Sequence, residues 1–221
     1  MATHQVSKAD VLLRGDAYYS RHAKNYEGRT GLPMSDIYVH DFGAPATASA
    51  NAICLSQSIT AGTAGLLNGA TAGTLDVPRN VVAAWTGTAV MTVVGTDVYG
   101  ETMTEASASG TSMTGKKAFK TITSVNVSQN VTGCTVGTGD VLGLPYAYAT
   151  KSQILQSRMD GVDDAVTMVV ADATSPATTT TGDVRGTVDF STASDGTKRF
   201  MVMMLRSSTQ TKVAQFGVAN V

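Results

Sequence analysis

Charge is scarce in this chain. Of its 221 residues only 15% are Asp, Glu, Lys or Arg, against about 25% in an average soluble domain. From Phe42 to Leu75 there is not one of them. The sum is close to neutral, at −1, so the chain lacks the electrostatic footprint of a protein that grips nucleic acid or an anionic membrane. Cysteine is nearly absent too. Cys54 and Cys134 stand far apart and in no metal spacing; two such residues read as small buried hydrophobes, with their pairing left open. Long apolar runs are missing. The opening MATHQVSKADVLLRGD holds nothing of signal-peptide length. The uncharged stretch is too rich in hydroxyls and glycine for a membrane segment, which needs about 20 strongly apolar residues. Asn126-Val-Ser and Asn130-Val-Thr fit the glycosylation pattern and are expected to stay unmodified.

The residues that carry chemistry are few and dispersed. His4, His22 and His40 have no second His or Cys nearby for a zinc site. No G-x-S-x-G occurs. Asp160, Asp163 and Asp164, in DGVDD, lack the order and distal Glu of a calcium loop and read as a solvated turn. Asp97, Glu101 and Glu105 flank a hairpin without forming a catalytic pair. Trp85 is the single tryptophan. No enzyme, metal or cofactor is expected.

One motif needs closer reading. GTSMTGKK (110–117) matches the phosphate-binding loop G-x-x-x-x-G-K-[ST] except at Lys117. An ammonium there cannot hold Mg²⁺ as a hydroxyl does. The loop should also open a helix whose N-terminus faces the phosphates, yet AFKTITSVNVS follows, dense in β-branched residues. The segment is expected to be an exposed turn with two lysines on its rim.

What is abundant is Thr, Ala, Gly, Ser and Val, arranged as strand and turn. TAVMTVV (88–94) is apolar on both faces and GTDVYGE supplies turn chemistry after it. FKTITSVNV (119–127) is β-branched at nearly every second position, and VTGCTVGTGDVLGLPY is punctuated by glycine. In DVRGTVDF (183–190), Val184, Gly186, Val188 and Phe190 alternate with Asp183, Arg185, Thr187 and Asp189, which predicts a half-buried strand. With KRFMVMMLRS it reads as a β-hairpin. In that return strand Phe200, Val202 and Met204 face the core, while Met201, Met203 and Leu205 point to a second covered face. ATSPATTTTGD (173–183) reads as an exposed loop. KSQILQSRMDG (151–161) and Val6–Leu13 are the helical candidates.

The expected fold is therefore mainly β: an antiparallel β-sandwich or barrel-like body with an extended N-terminal arm and little helix. The arm is 1–40 and the body 41–150. A C-terminal hairpin segment, 151–221, packs on the body or belongs to it. The arm carries Arg14, Tyr18, Tyr19, Arg21, Tyr26 and Tyr38, residue types enriched where proteins meet proteins. With Met201 and Met203 they are the candidate contact residues.

A set of phrases narrows the class. LDVPRNVV (75–82), TVVGTDVYGETMTE (92–105), GKKAFKTITSV (115–125), TVGTGDVLGLPY (135–146) and DVRGTVDFSTASDGTKRF (183–200) together resemble virion proteins of tailed bacteriophages that decorate or cement the capsid. The resemblance covers the middle and the C-terminal third. It implies a β-rich homo-oligomer, with a trimer favoured and a dimer as the alternative. Such a protein is made in the host cytoplasm, binds the major capsid protein on the outer surface of the assembled head, and bridges neighbouring capsomers. It carries over no active site. The arm and the uncharged 42–75 stretch would make the capsid or intersubunit contacts. The other reading from these features is a head fibre, spike or tail adhesin that binds a host-surface ligand.

Overall fold

Hydroxyl and β-branched residues at alternate positions favour pleated backbone, and strands dominate wherever the chain is described. The computed structural model describes residues 35–174 and 181–207. Thirteen strands occur there: β1 (Ser35–Gly43), β2 (Ser49–Ile59), β3 (Thr74–Ala89), β4 (Met91–Thr96), β5 (Thr102–Ala106), β6 (Gly110–Thr114), β7 (Phe119–Val127), β8 (Val131–Gly143), β9 (Ile154–Met159), β10 (Val162–Asp163), β11 (Val166–Val169), β12 (Thr187–Phe190) and β13 (Phe200–Ser207). The one helical element among the described residues is a 3-10 turn, Lys151–Gln153. The mainly β, antiparallel, sandwich-like fold read from the sequence is the fold observed.

Two sheets form. The larger has nine strands along the path β11-β12-β8-β3-β7-β4-β5, with β2 added on β8 and β6 on β3. It curls around a core that includes Ile53, Val81, Trp85, Met91, Val93, Met103, Phe119, Val125 and Val136. The smaller sheet has the order β1-β13-β9-β10. Its inner face closes a second core, in which Phe42, Phe200, Val202 and Met204 meet Leu142, Tyr146, Tyr148, Val188 and Phe190. Burying such side chains contributes roughly 1.5–3 kcal/mol each. Cys54 on β2 and Cys134 on β8 are free and fully buried. Burial pushes their thiols up to about 12 and about 11, leaving little reactive thiolate near neutrality.

Local details show how the sequence accommodates the curl. Pro78 has no N–H to give, and it sits in β3 where pairing with β7 skips from Thr74 to Arg79. Gly137 lies where β2 crosses β8: a Cβ there would stand 1.8 Å from the Ser49 carbonyl oxygen, so only glycine permits that approach.

Several expectations change. The helical candidate 151–161 becomes the 3-10 turn, strand β9 and the β9–β10 turn, because β9 gains a ladder with β13 on one side and β10 on the other. That turn puts Asp160 and Gly161 at φ of 50° and 80°, as tight hairpins require. β12 and β13 are not a hairpin. β12 pairs with β8 and β11, whereas β13 pairs with β1 and β9. The two strands face each other across the core instead, with the Phe190 and Phe200 rings 4.9 Å apart. β13 is nonetheless interior in its sheet, between β1 and β9, although its second face, with Met201, Met203 and Leu205, is only half-buried among the described residues. Within 183–190 only Asp189 reaches solvent; Asp183, Arg185 and Thr187 are buried, and the strand begins only at Thr187. The end of the 173–183 segment is likewise buried at 181–183. The arm boundary at residue 40 falls inside β1. The run 88–94 is divided between β3 and β4.

The two sheets are fastened at Arg79, only 1% exposed. Its guanidinium donates to the carbonyl oxygens of Gly139 and Ala46 at 2.8 Å each, to Asp140 at 2.9 Å, to Ser194 Oγ at 3.0 Å and to Asp76 at 3.3 Å. Ala46 lies on the connection from β1 to β2 and Ser194 on that from β12 to β13. Each crosses between the sheets. Replacing Arg79 by Met removes these bonds and leaves the Asp140 carboxylate without its cation. The expected loss is about 3–5 kcal/mol, read as a lower urea midpoint; a loss under about 1 kcal/mol would refute this role.

Candidate interaction surface

In β1 and β13 the side chains alternate across the small sheet. Phe200, Val202 and Met204 go inward and are fully buried, while Met201, Met203 and Leu205 lie half-buried on the outer face. Register places Ile37 beside Leu205, Val39 beside Met203, and Asp41 beside Met201; on the other side Gln156 is opposite Met203 and Arg158 opposite Met201. Ile37, Val39 and Leu155 are each 48% exposed. The face is therefore graded. It is apolar at the end where β1 begins and β13 finishes, and ionic at the other.

The ionic end is ordered by two pairs. Arg199 donates through Nε to Asp41 at 2.9 Å and through Nη2 to the same carboxylate, which holds Asp41 below the usual carboxylate range. Arg158 lies 3.2 Å from Asp163. Apolar surface bordered by Arg is common in protein–protein interfaces.

Of the candidate contact residues, Met201 and Met203 lie on this face. Tyr38 does not: it turns inward, half-buried, in edge contact with Tyr146 at 5.0 Å. Arg14, Tyr18, Tyr19, Arg21 and Tyr26 lie outside the described residues. Sequence reading missed Ile37 and Val39, although the alternation within SDIYVHDFG signals them. The uncharged 42–75 stretch supplies β2 and the loop after it. That loop bonds back to β2 through Gly69 N–H to Ile53 C=O, Thr71 N–H to Ala52 C=O, and the Leu55 N–H to Asn68 Oδ1.

The near phosphate loop also departs from expectation. GTSMT is strand β6, and Lys117 is fully buried rather than on an exposed rim. The following amides do hold anions, but these are the protein's own carboxylates. Lys116 N–H donates to Glu105 at 2.6 Å, Lys117 N–H to the same group at 3.4 Å, and Ala118 N–H to Asp183 at 3.0 Å. Lys117 Nζ donates to the Thr104 carbonyl oxygen at 2.8 Å. Nearby, Arg185 pairs with the buried Asp97 and lies over the Tyr99 ring. Asp97 also accepts from the Tyr99 and Glu101 amides, which closes the β4–β5 turn.

Among the described residues no group of three or more His, Cys, Asp or Glu is placed to hold a metal ion, and no helix is long and apolar enough to cross a membrane. No family model, curated protein or solved structure matches this chain.

Burial pushes the Glu105 carboxyl up to about 7, against the pull of the Lys116 and Lys117 amides and the Lys117 charge. A carboxyl raised in the folded state stabilises most when protonated. Its contribution is fully present below its unfolded value and is lost as pH rises through about 7. Stability is expected to fall between pH 5 and 8 by on the order of 3 kcal/mol, and Glu105→Gln should flatten that slope. Urea midpoints across this range check it; an equal slope in the variant would sink the assignment.

Proposed function

We propose that this chain is a structural virion protein that binds the outer surface of an assembled phage capsid and stabilises it by bridging neighbouring capsomers. The observation that carries this reading is the outer face of the small sheet: Ile37, Val39, Met203 and Leu205 form an apolar strip, ordered at one end by the Asp41–Arg199 and Arg158–Asp163 pairs. β1 and β13 run together, with Ser35 opposite Ser207. The arm, with its Tyr and Arg residues, therefore joins the body at the apolar end of this face. The partner is the major capsid protein, and contact with further copies of the chain completes the lattice.

The phrases that resemble capsid decoration proteins fall on β3, β4–β5, β7, β8 and the β12–β13 region. A cement protein acts by binding only the assembled shell, so that mass action and many simultaneous contacts favour the expanded lattice. A rigid β body with one sticky face suits that task.

Co-sedimentation with expanded capsids lacking the protein, with unexpanded procapsids as control, tests the reading. Saturable binding to expanded shells alone is expected. Met203→Glu should weaken it at least about tenfold while the melting temperature stays near wild type. Deleting residues 2–30 should abolish binding and leave a folded body. Binding to neither shell would overturn the proposal and favour a host-surface adhesin.

A further inference from the structure

The loop 60–73 is strapped back along β2 by a row of hydrogen bonds. Leu66 N–H donates to Gln57 Oε1, and Gln57 Nε2 donates to the Leu66 carbonyl, at 2.9 Å each. Asn68 Oδ1 accepts from the Leu55 N–H at 2.9 Å. Gly69 N–H donates to the Ile53 carbonyl at 2.9 Å, and Thr71 donates through N–H and Oγ1 to that of Ala52 at 2.9 and 2.8 Å. Two of these anchors dictate a particular dipeptide. A Cβ on residue 69 would stand 2.3 Å from the Ala52 carbonyl oxygen, so the approach admits only glycine. Residue 68 must bring a short side-chain acceptor to a strand amide, which Asn does. The strap therefore contains Asn68-Gly69, the one Asn-Gly pair in the chain. That pair has a reactivity of its own. With no Cβ on the following residue, the glycine nitrogen reaches the asparagine amide carbon unhindered.

We infer that Asn68 is a site of spontaneous modification, guarded while the strap lies on β2 and converted to isoaspartate when the strap lifts. The step is intramolecular. The Gly69 backbone nitrogen loses its proton to hydroxide and attacks Asn68 Cγ; the Cγ–Nδ2 bond breaks, ammonia leaves, and a succinimide ring forms. Water then adds at one ring carbonyl and one C–N bond opens. Opening at the backbone carbonyl leaves the chain running through Cβ and Cγ, which is isoaspartate; opening at Cγ leaves aspartate. In the closed strap β2 holds both reacting groups. The nucleophile gives its hydrogen to the Ile53 carbonyl, and the Asn68 amide is fixed by the Leu55 N–H. Attack needs both bonds broken, so the reaction draws on a locally open population. The isoaspartate form cannot close again. It adds one carbon to the backbone between the Leu66 and Gly69 anchors, about 1.5 Å of extra chain. The acceptor left on Cα is one bond shorter than the side chain that met Leu55. A negative charge also enters Phe42–Leu75, which has none. The eleven-residue strand β2 then loses this cover along its backbone.

The inference concerns the free protein and does not rest on capsid binding. Its test is made on the full chain incubated in mildly alkaline buffer, with isoaspartate located by enzymatic methylation and peptide mapping. In denaturant the chain should accumulate it at Asn68 faster than at any other asparagine. Native wild type should be slower there by at least about tenfold, because the strap must open first. Gln57→Ala removes both Leu66 bonds and should speed the native reaction about tenfold, with circular dichroism and melting temperature near wild type. Hydrogen exchange at the Leu55 and Gly69 amides should quicken alongside it, and should be quick in purified isoaspartate protein. Asn68→Asp keeps an acceptor for Leu55 and a normal backbone, and should retain slow exchange. An equal rate in native and denatured wild type, or a Gln57→Ala rate unchanged from wild type, would overturn the guarded site. Isoaspartate protein whose Leu55 and Gly69 amides exchange as slowly as before, or Asn68→Asp exchanging as fast as the isoaspartate form, would overturn the one-way opening.

Discussion

One buried guanidinium governs how the two sheets meet. Arg79 sits on β3, the long strand of the larger sheet, yet its hydrogen bonds reach two of the four chain segments that cross between the sheets. Those segments also bond directly, Gly196 N–H to the Pro45 carbonyl. A cation taken out of water needs its bonds satisfied, and only this arrangement of crossings supplies Ala46, Asp140 and Ser194 together. A third crossing is tied in similarly: Asp164, between β10 and β11, accepts from Ser191 and from the Thr192 amide. Once the crossings are placed, β1 and β13 lie side by side and the outer face of their sheet follows.

The polar interior has a second centre beside the next residues of β3, where Asn80 donates to the Gly115 carbonyl and the Gly115 N–H donates to that of Val81. There the amides after β6 hold Glu105 and Asp183, and Arg185 holds Asp97. Two consequences follow from so few charges being used internally. The segment 181–186 is fixed against the larger sheet by directed bonds rather than by apolar bulk. The outside of the small sheet, by contrast, carries little charge except at its ionic end. A surface that repels water weakly and carries its charges at one margin is suited to docking on another protein.

Much of the outline was legible in the sequence. The alternation in 119–127 and 200–207 announced strands, and the two apolar sides of FMVMMLRS announced an interior strand. The outer face of the small sheet was half legible: Met201 and Met203 were read as pointing away from the core, while Ile37 and Val39 were hidden in a segment read as arm. The near phosphate loop, read as an exposed turn, was wrongly placed in solvent. Nothing local in GKK tells that a glutamate eleven residues earlier and an aspartate sixty-five residues later will meet its amides.

The sequence by itself determined the strand character, the glycine and proline breaks and the scarcity of charge, because backbone preference and side-chain alternation are local properties. Tertiary structure alone decided which strands pair. β12 and β13 have the pattern of a hairpin yet belong to different sheets, and Ile154–Met159, helical by composition, is a strand because β13 and β10 lie on either side of it. It also decided that Asp183, Arg185 and Lys117 are interior. The physical reason is the same in each case. Ladder bonds and buried ion pairs join residues far apart in the chain, and their free energy outweighs the few tenths of a kcal/mol per residue of local preference.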